Sequence, residues 1–589
     1  MAPAARHVDM VVALAATVLS SVVSGSTSSC HAPQKACANH PSRCCGPQTP
    51  PPPPAATGWI SWATAKRSVA GMPFDMSSSI TDISYAAAGP SSTSVTSCTG
   101  QYPPTSQCIG ADTWYPSWSS GGDLFSTFTD GVAAGIDGSY AHPLSCGQCS
   151  RSPRPPSTWH NNGSSTDTGM ARIIGDKPGV LSVSDIQTVT SSALPYQGRY
   201  PSASFTYNGY WYVGTYAIAE TWGRTTDEHN RPVPLNRQYL CGNWCVLGPF
   251  VGFHHAKISP RGTNMSWVVP RYEMAKDFAT YKPSSNLFSE RGPVCHGTIA
   301  KVYIGHAKYP YDFTCNGTWR GKVKMGTPHV VDLGRELEYA PQANGDGDAT
   351  KRVYLVADGA REEIDPYAPQ TWMMGSETYL ARTKVEPTPA VMDDGASWEF
   401  YAGAEGKWVN SVQDATPIWS WANRTGSTTI TYIAPLKKFV MVVDAPGPVP
   451  QTRGQSMGGP FDTYFLEADA ITGPYRMITY LPSFGPAAYF GNIPSKFVAT
   501  ATTTDERGRT VLECFLSYSQ WGQLPGKPTG RSDPPGSSCE CNSFLNLHDC
   551  CATCLTIRTC LIKLSDKWDL LPIRLVLSSN TSIAVATAR

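Results

Sequence analysis

Hydrophobic and polar residues alternate with a period of two in many short stretches of this chain. YWYVGTYAIA, RVYLVADG, ETYLART, FVMVVD and TYFLEAD are the clearest, each about one strand long. The stretches fall into five strand-turn-strand segments. These are ADTWYPSWSSGGDLFSTFTDG from Ala111, PSASFTYNGYWYVGTYAIA from Pro201, the pair TPHVVDLG and KRVYLVADGA from Thr327, STTITYIAPLKKFVMVVD from Ser427, and IPSKFVATATTTDERGRTVLECFLSYS from Ile493. A third strand follows four of them: GMARIIGD, GPFVGFHHAKI, SETYLARTKV and DTYFLEADAITGPY. A fourth element such as WEFYAG precedes the next segment. Five irregular repeats of a hairpin plus outer strands predict an all-β, five-bladed β-propeller over residues 59–535. The longest insertion, roughly 223–325, reads as a decoration on the second blade.

Composition agrees with this pattern. There are 52 Gly, 50 Pro, 17 Trp and 27 Tyr, and only 15% of residues are charged, which suits a turn-rich aromatic β protein. The formal net charge of +1 and the lack of a Lys/Arg-rich run exclude a nucleic-acid surface. At the N-terminus a short apolar run, VVALAATVLSSVV, leads into small residues, the layout of a signal peptide over residues 1–25. No later segment is apolar enough to span a bilayer, so the chain is expected to be secreted, extracellular and monomeric.

Cysteine usage fits an oxidising compartment. Of 19 Cys, four lie near the N-terminus, nine in the body and six after Ser538. Eight body residues form local pairs as disulfide candidates: Cys98/Cys108, Cys146/Cys149, Cys241/Cys245 and Cys295/Cys315. Cys514, in an apolar strand, reads as a buried free thiol. Cys146-Gly-Gln-Cys149 has no second pair at zinc-site spacing, and NGDGDAT (344–350) lacks the closing Glu of a calcium loop, so no protein metal site is predicted there. Asn-x-Ser/Thr acceptors stand at Asn162, Asn264, Asn316, Asn423 and Asn580.

Two appendages flank the body. Residues 26–57 form a disordered Cys-bearing stub ending in the polyproline spacer PQTPPPPPAATG. Residues 536–589 begin with a Cys-rich run without strand alternation, and the fifth repeat lacks a third strand unless CLIKLSD or LPIRLVL supplies one. The tail is either a disulfide knot or the product of an altered reading frame or splice choice.

The chemistry of a propeller gathers where its inner strands converge. If the start of strand one and the end of strand two share a mouth, the facing pairs are Asp112 with Asp130, Ser202 with Tyr216, His329 with Asp358, Thr428 with Asp444, and Lys496 with Tyr518. Trp114, Tyr115 and Trp118 lie beside the first pair as candidate sugar platforms. Each residue also has a structural reading: Asp112 and Asp130 as turn caps, the tryptophans as inter-blade packing, Lys496 as a counter-charge, His329 as a channel histidine or a ligand to an axial cation.

ADTWYPSW…GGDLFSTFTDG, GTPHVVDLG…VYLVADGA, SETYLAR and FLEADAITGPY, in that order over about residues 80–520, resemble the five-bladed propeller glycosidases, the clan holding arabinanases and β-xylosidases of glycoside hydrolase family 43. The resemblance implies glycan hydrolysis by a base, a general acid and a carboxylate that tunes the acid. By position Asp112 is similar to the base. The second and third repeats begin Pro201-Ser202 and Pro328-His329 where a relative places an acid, so Asp130, Asp332 and Asp358 complete the candidate catalytic set, with Glu399 as a further substitute and Glu377, on a third strand away from the mouth, better read as an outer-blade residue. Trp114, Tyr115, Trp118, His329 and Lys496 are the candidate substrate-binding residues. No cofactor is required, and the central channel leaves room for Ca2+ or another cation. The alternative is a non-catalytic carbohydrate-binding or adhesion propeller that has lost the acid triad.

Overall fold

The computed structural model describes residues 35–37, 40–45, 58–61, 69, 71–86, 96–97, 108–133, 166–187, 200–219, 246–259, 265–268, 270, 286–289, 293–296, 314–319, 323–345, 347–361, 375–403, 406–446, 461–482, 488–520 and 567–579. The chain divides into two units, Met1–Ala56 and Thr57–Arg589. In the first, Lys35–Cys37 and His40–Cys45 pair antiparallel. This corrects the expectation that the whole stub lacks order.

The second unit is all-β and propeller-like. The first sheet orders its strands Ser182–Gln187, Thr166–Ile174, Leu124–Ala133, Cys108–Asp112 and Thr96–Ser97, with Ser117–Trp118 paired beside them. Tyr200–Tyr207, Tyr210–Ala219 and Val246–Lys257 make the second. The third runs Val323–Val330, Tyr354–Arg361, Gly375–Thr383, Trp398–Tyr401 and Trp408–Val409, with Trp419–Thr425 alongside. Ser427–Ile433, Lys438–Pro446, Phe461–Ala468 and Arg476–Leu481 make the fourth. Ala488–Asn492, Thr510–Gln520, Lys567–Leu577, Ile80–Ala86 and Trp59–Ser61 make a fifth, with Thr503–Thr504 alongside; each of these sheets packs against the next, and the fifth touches the first through Lys567–Leu577 and Cys108–Asp112.

Apolar clusters fill the seams between sheets, and the most extensive runs continuously through the second, third and fourth. Phe125 and Met170 of the first sheet meet Trp211 and Val213 of the second. Phe253 of the second lies parallel to Trp398 of the third, ring centroids 5.9 Å apart. Val440, Val442 and Phe465 of the fourth pack against Leu512, Cys514 and Ile573 of the fifth, so Cys514 is the buried free thiol its apolar setting predicts. Among the described residues no helix is long and apolar enough to cross a membrane.

The fifth sheet differs from expectation at three places. Its first strand is Ala488–Asn492, ahead of Ile493, because Pro494 has no N–H for the ladder and the chain turns into a 3₁₀ turn at Ser495–Phe497. Its third strand is Lys567–Leu577, the LPIRLVL stretch allotted to the tail, which pairs with Thr510–Gln520 over ten residues. Ile80–Ala86, unassigned by the repeat pattern, then pairs with the other edge of Lys567–Leu577. Leu570, Leu571, Ile573 and Leu575 are fully buried there, which is what an interior strand requires.

Candidate functional site

Four of the five first strands carry a register shift: at Gly110/Asp112, Pro201/Ala203, Gly326/His329 and Tyr489/Asn492. Such bulges bend a strand and re-aim the next side chain. Two enclose a non-glycine residue in the left-handed region, Thr327 at φ 32° and Phe490 at 56°, and a third is closely followed by one, Thr113 at 37°. For β-branched Thr this backbone costs on the order of 1–3 kcal/mol. The hydroxyls offset part of it: Thr113 meets Thr129, and Thr327 Oγ1 donates to Asp358 Oδ1 at 3.0 Å.

Just past these bulges lies a cleft with a cavity volume of ≈ 40 Å³, room for a few water molecules or one polar group of a ligand. Each of the five sheets named above, or the segment following its first strand, contributes to it. Trp114 and Tyr115 come from the first, Ser204 from the second, His329 and Asp332 from the third, Thr429 and Thr431 from the fourth, and Phe490 and Asn492 from the fifth. Tyr115, His329 and Phe490 form a triangle of rings with centroids 5.2, 5.5 and 5.6 Å apart. Trp114 stacks on Phe128 at 5.1 Å, so one wall of the cleft is fixed by core packing.

Burial pushes the His329 imidazole down to about 3, so it is neutral; the Thr428 backbone pulls weakly the other way without reaching hydrogen-bond geometry to either ring nitrogen. Asp332 keeps some exposed surface, yet its carboxylate is packed deeply enough that desolvation raises its pKa. The opposing hydrogen bonds come from Ser495 N–H at 2.8 Å, Ser495 Oγ at 2.7 Å and Gly334 N–H at 3.0 Å. These bonds occupy both oxygens and tie the third sheet to the fifth.

Among the predicted residues, Trp114, Tyr115, His329 and Asp332 come together at this cleft. Asp358 is buried on the second strand of the third sheet, opposite Gly326, and receives the Thr327 hydroxyl. Trp118 lies away from the lining, under the Arg335 guanidinium at 6.0 Å. Lys496 also lies away, because its segment is the 3₁₀ turn and not a strand start. Its Nζ donates to the Gly122 and Gly175 carbonyls at 2.5 and 2.6 Å and pairs with Asp176 at 3.2 Å. Asp112 ends the first strand, opposite Thr129, and Asp130 lies on the next strand; the side chains of both are outside the described residues.

The expected disulfides fall largely in the same category. Cys98, Cys146, Cys149, Cys241 and Cys245 lie outside the described residues, and with them the pairs Cys146/Cys149 and Cys241/Cys245. Of Cys108, Cys295 and Cys315 the strand position is described but not the side chain. Cys295 and Cys315 stand opposite one another in the register of an antiparallel pair. The side chains of the five glycosylation acceptors are also outside the described residues.

Ser204, Thr429, Thr431, Phe490 and Asn492 are cleft residues that the sequence reading missed. Only the short apolar AAYFGN stretch before Ile493 signalled the fifth sheet's contribution. For the expected axial cation, the non-aromatic oxygen-bearing side chains among the described lining residues are Asp332, Ser204, Thr429, Thr431 and Asn492, with the Asp332 carboxylate already engaged by Ser495 and Gly334. No group of three or more His, Cys, Asp or Glu among the described residues is placed to hold a metal.

No protein-family model matches the chain, and neither does any curated protein. Solved structures show distant likeness. Inulosucrase from Halalkalicoccus jeotgali bound to kestose is 9% identical, with a TM-score of 0.34, 88% of this chain and 96% of that one covered. A family 43 arabinoxylan arabinofuranohydrolase from Bacillus subtilis in complex with cellotetraose is 10% identical, TM-score 0.31, covering 81% of this chain and 66% of that one. Xylan β-1,4-xylosidase from Bacillus halodurans is 11% identical, TM-score 0.28, over 72% of this chain and 52% of that one. Likeness at this distance carries nothing about chemistry, which rests on the cleft itself.

Proposed function

We propose that the protein is a secreted five-bladed β-propeller whose axial cleft receives the hydroxyl edge of a sugar unit of a polysaccharide. The observation that carries this reading is the convergence of aromatic rings (Trp114, Tyr115, Phe490) and neutral hydrogen-bonding groups (Ser204, His329, Thr429, Asn492) from all five sheets on one cleft. Flat apolar faces with a few placed polar groups suit a sugar ring, which has an apolar face and a polar rim. Five blades are supported by the closed order of sheet contacts, and secretion by the N-terminal apolar run.

Binding is favoured over turnover because Asp332, the one carboxylate among the described lining residues, already has both oxygens engaged. Hydrolysis is the second reading, favoured by the place of Asp112 immediately before the Thr113-Trp114-Tyr115 segment that enters the cleft. A glycosidase needs two carboxyl groups, about 5–10 Å apart, one protonated and one ionised. Purified protein should be retarded on gels containing arabinan or xylan, and Tyr115→Ala should weaken that retention about tenfold, the loss of roughly 1–2 kcal/mol of aromatic contact. Reducing-end release should be absent, or present and abolished by Asp112→Asn. Release that survives Asp112→Asn removes Asp112 from the mechanism, and no retardation on any such polymer sinks the glycan reading.

A further inference from the structure

The connection that leaves the third sheet's first strand reaches all four other sheets between Asp332 and Glu336. Asp332 joins the fourth: its N–H donates to the Ile430 carbonyl at 2.8 Å, and its carbonyl accepts from the Tyr432 N–H at 2.9 Å. Its carboxylate takes the N–H and hydroxyl of Ser495, from the fifth. Arg335 donates from Nε to the Ser119 carbonyl at 3.2 Å and from Nη2 to the Ser120 carbonyl, just past the first sheet's Ser117–Trp118. Glu336 completes the set. Its Oε1 accepts from the Ser120 N–H at 3.0 Å, and its Oε2 from the N–H of Asn208, in the second sheet's hairpin turn, at 2.6 Å.

The backbone that makes this reach is strained. Gly334, Glu336 and Leu337 have φ of 82°, 52° and 58°. Glycine is at ease there, but two consecutive residues with side chains are not. Such backbone persists only where its surroundings over-determine it. Here Leu337 is buried and the Glu336 carboxylate is held at two points. The two ends of the segment are not equally secure. Asp332 is bonded to two sheets and lines the axial cleft. Ser120, Asn208 and Arg335 are exposed, so water competes for the bonds at the Glu336 end. Movement at that end reaches the cleft by a short path, because the Gly334 N–H donates to Asp332 Oδ1 at 3.0 Å.

We infer that Asp332–Leu337 is a tensioned strap, latched at Glu336, whose release lets the backbone relax and frees the cleft wall at Asp332 from Ser495. Opening of this kind is local, a cooperative unit smaller than the fold, and the strain drives it. The cleft then has two states, one drawn in by the latched strap and one loosened, whatever ligand it takes.

Hydrogen exchange at single-amide resolution on full-length wild type, Glu336→Ala and Glu336→Gly tests this. Both variants remove the carboxylate, and they differ only in the Cβ that a left-handed backbone strains. In both, the Ser120 and Asn208 amides should exchange at least about tenfold faster. In Glu336→Ala the Ser495 and Tyr432 amides should also exchange about tenfold faster. In Glu336→Gly, relaxed where it stands, those two should stay within about twofold of wild type. Amides of Thr510–Gln520, inside the fifth sheet, should keep wild-type rates in all three proteins. Unchanged Ser495 and Tyr432 amides in Glu336→Ala would show that the latch does not reach the cleft. Equal rates in the two variants would show that strain plays no part, and a rise across Thr510–Gln520 that the whole fold had loosened. Any one of these overturns the inference.

Discussion

Asp444, at the end of the fourth sheet's second strand, has no exposed surface. Its Oδ1 accepts from the Thr463 hydroxyl at 2.5 Å and its Oδ2 from the Gly491 N–H at 2.6 Å. Burial dominates these bonds and lifts the carboxyl from 3.8 to about 6. The folded state thus holds a proton that the unfolded chain has released. The resulting stability is complete below about pH 4 and lost as the pH rises through 6, a loss of about 3 kcal/mol. Denaturant melts at several pH values should show this fall in wild type relative to Asp444→Asn, which has no proton to lose. Parallel pH dependence in the two proteins would mean that Asp444 is ionised throughout. A Cβ at the neighbouring Gly491 would stand 2.9 Å from Val442 Cγ1, so the backbone that binds Asp444 has no room to be replaced.

At the scale of elements, the 3₁₀ turn Ser495–Phe497 joins sheets that do not share a ladder. Ser495 holds Asp332 beside the third sheet, and Lys496 holds the Gly122 and Gly175 carbonyls of the first. The Lys496 side chain is 3% exposed, so screening is weak, whereas its ion-pair partner Asp176 is 90% exposed and adds little. Lys496→Met should cost about 2–3 kcal/mol, chiefly through two buried charge-assisted bonds, read as a shifted denaturant midpoint. An unchanged midpoint would mean that water replaces the ammonium freely. The same turn shows where sequence reading stopped. Long alternating strands such as Tyr210–Ala219 and Lys438–Pro446 declare themselves, because a half-buried strand must alternate. Ala488–Asn492 spans five residues with a glycine and a bulge, so its pattern is too short to register. That moved the fifth repeat's start by five residues and put Lys496 at a mouth it does not reach. The residues next to recognisable strand ends, Trp114, Tyr115, His329 and Asp332, could be gathered from sequence. Ser204, Thr429 and Phe490 could not, because bulge and inter-sheet geometry decide which side chain turns inward, and neither leaves a local signature.

Over the whole molecule, the fifth sheet is assembled from distant pieces: Ala488–Asn492 and Thr510–Gln520, then Lys567–Leu577, then Ile80–Ala86. Leu575 stands opposite Leu512 on one side and Ile83 on the other. A chain ending at Asp566 would expose the surfaces that Leu570, Leu571, Ile573 and Leu575 cover. At 1.5–3 kcal/mol per buried aliphatic side chain this is roughly 6–12 kcal/mol, comparable to the whole stability of a domain. Such a chain should be recovered as aggregate or fragments, judged by size-exclusion profile and near-ultraviolet dichroism. A monomer with the wild-type spectrum would show that the fifth sheet closes without that strand. The pairing of Ile80–Ala86 with Lys567–Leu577 also imposes a timetable. Roughly 480 residues are synthesised between the two strands, and at about 5–20 residues per second the earlier one waits some 25–100 s for its partner. Throughout that interval one edge of Ile80–Ala86 is an open template for any other strand nearby. The closing strand therefore arrives long after the strand it completes, and a lesion in the codons for Lys567–Leu577 is as harmful to this fold as one in its core.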